Sequence, residues 1–299
     1  MLVCILWMCQ HQFAGVKICI MSIITSNAPA KINLRLKILG KREDGFHELE
    51  SLMVPLELAD RLHFKKSESY SLRCEVPGVP LDEGNLVTKA VRIFERESGR
   101  ECHWEITLEK NVPHGAGLGG GSSDAATTLL ALNELEGTGY SREKLAAMAA
   151  EIGSDIPFFI YEESCLIKGR GEHVEPVDTP EISGTPVLLL KPDFGVSTPD
   201  AYKNCLNAEV LPDVDYRPQP LAWGEIVNDL EQPVFYKHRF LAEMKVWLLD
   251  QPEVTAAMMS GSGSTMMVFL ADSSQTELLI ERARKELDPT LWAASTRIL

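Results

Sequence analysis

Between Ile32 and Ile38 apolar residues occupy every second position (Ile32, Leu34, Leu36, Ile38), and the neighbouring positions carry Lys31, Asn33, Arg35 and Lys37. That alternation predicts a β-strand with one buried face and one polar face. Shorter strand-like stretches follow at 50–57, 61–66 and 70–76, with polar turns between them. The period then changes. Leu86, Val87, Ala90, Val91 and Phe94 share one helical face behind Asn85, which predicts a capped helix to about Ser98. Trp104 to Leu108 alternates again as a strand. Ala125, Ala126, Leu129, Leu130, Leu132 and Leu135 form a single helical stripe, and Ser141 opens a further helix to about Glu151. Cys165–Lys168 reads as another strand.

From about Glu181 the composition loosens around Pro180, Gly184 and Pro186, which predicts a domain boundary and units at 22–180 and 181–299. In the second unit the pattern predicts a strand at Val187–Leu190, a helix carrying Tyr202, helices at 221–228 and 235–250, a strand at Met266–Leu270 and a helix at 274–287. Residues 1–21 are expected to be an over-called translation start or a disordered extension. Their apolar run is too short to span a bilayer, and Met21 is the more natural start.

One stretch interrupts these periods. Five of the seven residues from Gly115 to Gly121 are glycine, and the apolar helical stripe follows at once. Glycine admits positive φ and close approach of a ligand to the backbone. The following helix N-terminus adds partial positive charge, so the loop predicts an anion cradle for a polyphosphate, with Ser122 and Ser123 as N-cap residues. A flexible linker is the plainer alternative for Gly and Ser, but a linker would not run unbroken into an amphipathic helix. No lysine follows the glycines as in a P-loop, and Pro113 interrupts the strand that a dinucleotide fingerprint requires.

Charge narrows the partners. The 299 residues carry a formal net charge of −14, which argues against nucleic acid and makes individual cations informative. No membrane partner is expected. Seven cysteines without a C-x-x-C point to free thiols in a reducing cytoplasm. Lys31 and Asn33 on one strand face are either solvated surface or the wall of a site. The loop Gly40–His47 carries two cations and then Phe46-His47. Asp155 stands between Gly153-Ser154 and the apolar Ile156–Phe159 run, where a turn residue and a partly desolvated general base are both open readings.

Three motifs in order resemble the GHMP kinases: Pro29-Ala30-Lys31-Ile32-Asn33-Leu34, the loop Gly115–Ala126, and Ser260–Ser264. The resemblance runs from Asn27 to the end. It narrows, through Asp44–Leu49, Gly153–Phe159 and Gly195-Val196-Ser197-Thr198, to the branch acting on a cytidine diphosphate derivative of methylerythritol in non-mevalonate isoprenoid synthesis. It implies an α+β fold of two domains, the N-terminal one like ribosomal protein S5 domain 2 and the C-terminal one ferredoxin-like.

The resemblance also implies ATP and magnesium. Pro113, His114, Gly115, Ala116, Gly117, Leu118, Gly119, Gly120, Gly121, Ser122 and Ser123 would hold ATP. Magnesium would sit on the phosphates, with the Ser122 and Ser123 hydroxyls on phosphate or magnesium, Ser122 being the candidate ligand, and no metal ligand is otherwise assigned. Lys31 and Asp155 would be catalytic, Asp155 accepting the proton of the attacking hydroxyl. Asn33, Gly261 and Ser262 would hold the substrate, Phe46 and Tyr202 would stack on cytosine, and His47 would read its edge. Arg170 and Lys191 are candidates for the diphosphate. A homoserine or mevalonate type of kinase, or a ligand-binding member without catalysis, remains the alternative. The pattern leaves oligomeric state open.

Overall fold

The computed structural model describes residues 23–203, 205–206 and 208–299; the expected extension at 1–21 lies outside the described residues. Two long strands, β1 (Ile23–Lys41) and β2 (His47–Lys66), pair antiparallel over nearly their whole length. β2 absorbs both stretches expected at 50–57 and 61–66. The polar break between them is not a turn, because Asp60 is fully buried and accepts from the amides of Asn111 (2.6 Å) and Val112 (2.8 Å). β3 (Ser71–Arg73) is shorter than the expected 70–76.

With β4 (Trp104–Glu109), β5 (Cys165–Gly169) and β6 (His173–Pro176) these strands make the first sheet. Four helices cover it: α1 (Leu86–Ser98), α2 (Gly120–Leu135), α3 (Arg142–Ala150) and α4 (Ile156–Tyr161). Leu62, Phe64, Phe94, Leu129, Leu132 and Phe158 form the centre of that core. Asn85 and Ser141 cap α1 and α3 as expected, each accepting a backbone N–H. Ser122 and Ser123 do not cap α2. Gly119, at φ +70°, is its N-cap, so the helix starts earlier and both serines fall within its first turns. The left-handed conformation required there suits glycine and not serine.

The second half supplies β7 (Pro186–Lys191), α5 (Thr198–Lys203), β8 (Gln219–Leu221), β9 (Gly224–Asn228), α6 (Glu231–Lys237), α7 (Arg239–Leu249), β10 (Val254–Met259), β11 (Met266–Leu270), α8 (Thr276–Glu286) and β12 (Trp292–Arg297). Its four-stranded sheet runs β10-β11-β7-β12. Counted within this half and without β8 and β9, the order is 2-3-1-4 with helices between, the ferredoxin-like arrangement.

Two expectations fail here. Residues 221–228 are a hairpin and not a helix, because the β-branched Ile226-Val227 pair is captured by the first sheet. β9 runs parallel to β1, with Arg35 opposite Val227 and Leu36 opposite Asn228. The helix at 235–250 starts earlier and breaks at His238, whose φ of −117° and ψ of 75° lie outside helical values. Between the two sheets a third apolar cluster joins Ile32 and Leu34 to Leu189, Met258, Met267 and Ile298.

Candidate active site

Lys31 and Asn33 lie on the polar face of β1, yet each is less than a tenth exposed. The glycine loop and the Ser260–Ser264 loop cover them. The Lys31 ammonium donates to Asn33 Oδ1 (2.5 Å) and to Gly117 O (2.8 Å), and the Lys31 amide donates to Leu118 O (2.9 Å). Asn33 in turn donates to Ser51 Oγ at 2.8 Å, which holds its amide plane. None of the atoms bonding the ammonium carries a full charge. Burial therefore pushes the Lys31 pKa down to about 8, with the nearby Asp155 carboxylate opposing the shift.

The glycines are explained by what surrounds them. A Cβ on Gly117 would lie 2.3 Å from Ser260 O, so the two loops touch backbone to backbone. At Gly119 a Cβ would fall 2.6 Å from Phe159 and 3.1 Å from Lys31 Cγ; at Gly120 it would fall 3.2 Å from Lys110 Nζ. Consecutive glycines thus make room for a lysine on either side of the loop. Thr265 N donates to Ala116 O (3.2 Å) and Ser260 Oγ to Gly117 O (3.2 Å), tying the third motif to the second. Gly261 closes over the pair on β1, its Cβ position 3.0 Å from Lys31 Nζ and 3.1 Å from Asn33 Oδ1. Ser262 Oγ bonds Thr198 Oγ1 at 2.9 Å, which carries the cluster on to α5.

Asp155 precedes α4 but makes no capping bond; its carboxylate is exposed and accepts from Ser122 Oγ at 2.9 Å. An aspartate that leaves the helix uncapped and turns to a loop serine is free for other chemistry. Ser123 is fully buried and its hydroxyl has no partner, an orphaned donor beside the α2 N-terminus. The donor set here (loop amides, two hydroxyls, a helix N-terminus and a buried ammonium) suits a polyphosphate. Pro113 and His114 lead into the loop, with His114 exposed.

On the far side, Phe46 is 53% exposed and lies under the Arg170 guanidinium at 5.2 Å, a cation–π contact. Tyr202 of α5 stands 6.1 Å from the His47 ring, and burial pushes its phenol up to about 12, with Cys205 and Asp155 adding to the shift. Tyr202 therefore sets α5 beside the Phe46-His47 loop. Lys191 does not face it: its ammonium is buried on the carbonyls of Pro192 (2.7 Å) and Phe194 (3.0 Å), which leaves Arg170 as the exposed cation of the two candidates.

Sequence reasoning missed a second charged cluster. Lys110 contacts both Asp60 and Asp124, the latter at 2.8 Å, and both carboxylates are buried. Burial raises Asp124 to about 7; the Lys110 ammonium opposes the shift and Asp60 adds to it. Burial alone would lower Lys110, but Asp124 and Asp60 outweigh it and raise its pKa. The available signal was Asp124 itself, a carboxylate one residue from the apolar stripe of α2. Among the described residues no group of three or more His, Cys, Asp or Glu side chains is arranged to hold a metal, and no helix is long and apolar enough to cross a membrane.

Residues 85–163 match the GHMP kinases N terminal domain. The chain is 39% identical over 289 residues to 4-diphosphocytidyl-2-C-methyl-D-erythritol kinase of Methylacidiphilum infernorum, covering 92% of this chain and 97% of that protein. To the enzyme of the same name from a Synechococcus strain it is 39% identical, over 92% and 95% of the two chains. A solved 4-(cytidine 5'-diphospho)-2C-methyl-D-erythritol kinase superposes with a TM-score of 0.75 at 32% identity, over 91% of this chain and 99% of that one. Homoserine kinase from Cytophaga hutchinsonii, at 18% identity and a TM-score of 0.64, shares the fold.

Proposed function

The chain belongs to the 4-diphosphocytidyl-2-C-methyl-D-erythritol kinases, a branch of the GHMP kinases, and on that premise we propose that it transfers the γ-phosphoryl of ATP to the 2-hydroxyl of that cytidine diphosphate alcohol. It is an ATP-dependent small-molecule kinase of isoprenoid biosynthesis. The observation that carries the assignment of roles is the buried Lys31 beside Asp155 at the mouth of the glycine loop.

Phosphoryl transfer asks for alignment and charge stabilisation more than covalent help. The hydroxyl oxygen attacks the γ-phosphorus, its proton passes to the Asp155 carboxylate, and the bond to the ADP oxygen breaks. Lys31 contributes positive charge beside the reacting oxygens, and Asn33 holds the alcohol. The amides of 115–123 receive the phosphates. Magnesium, when bound, would neutralise phosphate charge, and Ser122, half-buried and donating to Asp155, would be its candidate side-chain ligand. Gly261 and Ser262 close the substrate end. Phe46 and Tyr202 offer ring faces to cytosine, His47 a hydrogen-bonding edge, and Arg170 a charge for the diphosphate. We assign the activity to the cytoplasm and keep the division near residue 181, on the ground that the second sheet begins with β7 at Pro186.

The test is ADP release with magnesium and ATP across 4-diphosphocytidyl-methylerythritol, homoserine, mevalonate and galactose, with CMP as competitor. Turnover of the cytidine alcohol alone, inhibited by CMP, is expected. Turnover of another acceptor would discard the cytosine pocket and keep the kinase.

A further inference from the structure

The loop that covers Lys31 joins β10 to β11 and is closed by the Ser260 amide on Thr265 O (2.9 Å), but it is also held from outside its own sheet. β10 is an edge strand, so one side of its backbone has no ladder partner. Side chains from the β8–β9 hairpin and α6 take that place. The Gln219 amide donates to Ala257 O (2.9 Å) and accepts from Ala257 N (3.0 Å). Two residues further on, Glu231 accepts from Met259 N (2.9 Å), while Asn228 donates to Met259 O (2.7 Å) and Gly261 O (2.8 Å). Asn228 Oδ1 accepts from Leu230 N at 3.0 Å, which fixes its own orientation.

Behind them Glu231 pairs with Lys245 at 2.5 Å, and Lys245 also donates to Asp215 O at 2.6 Å. Glu231 and Lys245 are almost completely buried. A buried ion pair is a poor source of stability compared with apolar packing of the same volume, so its presence calls for a geometric reason. The reason lies at the end of the chain of bonds. Asn228 stands opposite Leu36 on β1, the strand that also carries Lys31. The lysine and the Asn228 clamp on its cover therefore stand on neighbouring, paired strands of one sheet.

We propose that Asn228, supported by Glu231 and Lys245, is a positioning residue that sets the height of Gly261 above Lys31 and Asn33. The inference rests on the assignment of Lys31 to phosphoryl transfer. A Cβ at Gly261 would lie 3.0 Å from the ammonium, so the loop leaves Lys31 no room for a side chain there, and a shift outward would admit water to it. Displacements of this size cost rate without removing binding contacts.

The test compares Asn228→Asp, Lys31→Met and the double variant by steady-state kinetics, per folded molecule. Asn228→Asp keeps the side-chain shape and the acceptor for Leu230 N but loses both donations to the loop. Its kcat is expected to fall about 10- to 100-fold, with KM for ATP and for the alcohol within about threefold of the parent. The double variant should be no slower than Lys31→Met alone, because Asn228 acts through that lysine. Where the buried carboxylate prevents folding, Asn228→Ala removes the same donations without charge and is judged by the same criteria. An unchanged kcat in a destabilised Asn228 variant, with Lys31→Met inactive, would overturn the inference alone; so would losses that multiply in the double variant. A fully active Lys31→Met would instead overturn the assignment of Lys31, and this inference with it.

Discussion

Two buried lysines flank the glycine loop, and they are opposites. Lys110, behind Gly120, touches two carboxylates and is held charged well into the alkaline range. Lys31, behind Gly119, touches only an amide oxygen and a carbonyl, with Asp155 near but not bonded to it, and its pKa falls to about 8. Burial is common to both, so burial does not separate scaffold from chemistry. What separates them is whether the neutralising charge is in contact. Lys110 is spent on its neighbours, whereas the charge of Lys31 is left to act on something that arrives.

The largest expected effect is on the Lys31 side. Asp155→Asn should lower kcat by about 10²- to 10⁴-fold with the KM for ATP almost unchanged, measured by ADP release; a parallel loss of ATP binding would mean that Asp155 serves the nucleotide instead. Lys110→Met should act on the fold. It strands two buried carboxylates, and denaturant unfolding should show a loss of about 3–5 kcal/mol, while the folded fraction keeps far more turnover than Lys31→Met does.

The pH dependence sharpens the contrast. Below about 8 the folded and unfolded chains both carry a charged Lys31, and the fold bears the whole cost of burying it. Between about 8 and 10.5 the unfolded chain binds more protons at this site, so its contribution to stability rises with pH while turnover that needs the ammonium declines. Lys110 runs the other way: its raised pKa gives stability that is complete below 10.5 and is lost as pH passes the folded value. Activity and urea midpoint recorded across this range should therefore move in opposite directions in the parent, and Lys31→Met should remove the Lys31 part of the rise. The smallest effect is expected from His47→Ala, about a tenfold rise in KM for the cytidine alcohol with KM for ATP unaltered; the reverse pattern would dismiss the cytosine pocket.

Much of this was legible in the chain, and unevenly so. The period-2 run on β1, the Asn85 and Ser141 caps and the glycine loop depend on neighbours in sequence, and local chemistry places them well. The burial of Lys31 and Asn33 was not legible, because their cover comes from residues 117–119 and 260–261. The same holds for Asp60, which reads as a turn between strands until Asn111 and Val112 are seen to donate to it. Residues 221–228 failed for a related reason: the β-branched Ile226-Val227 pair is short, and the ladder with β1 that makes it a strand comes from a partner far away in sequence. Nothing local marks Asn228 and Glu231 as clamps, since the loop groups they hold lie about thirty residues away.

The hairpin β8–β9 joins the first sheet although it is encoded in the second half, and the last residues return the tie: Leu56 bridges Ile298, and Leu299 N donates to Pro55 O at 3.0 Å. The two halves are thus sewn together at both edges of their shared core. A clamshell motion would have to tear these stitches at every turnover. Severing the chain near residue 181 would leave β1 without β9 beside it and Ile298 without its bridge to Leu56.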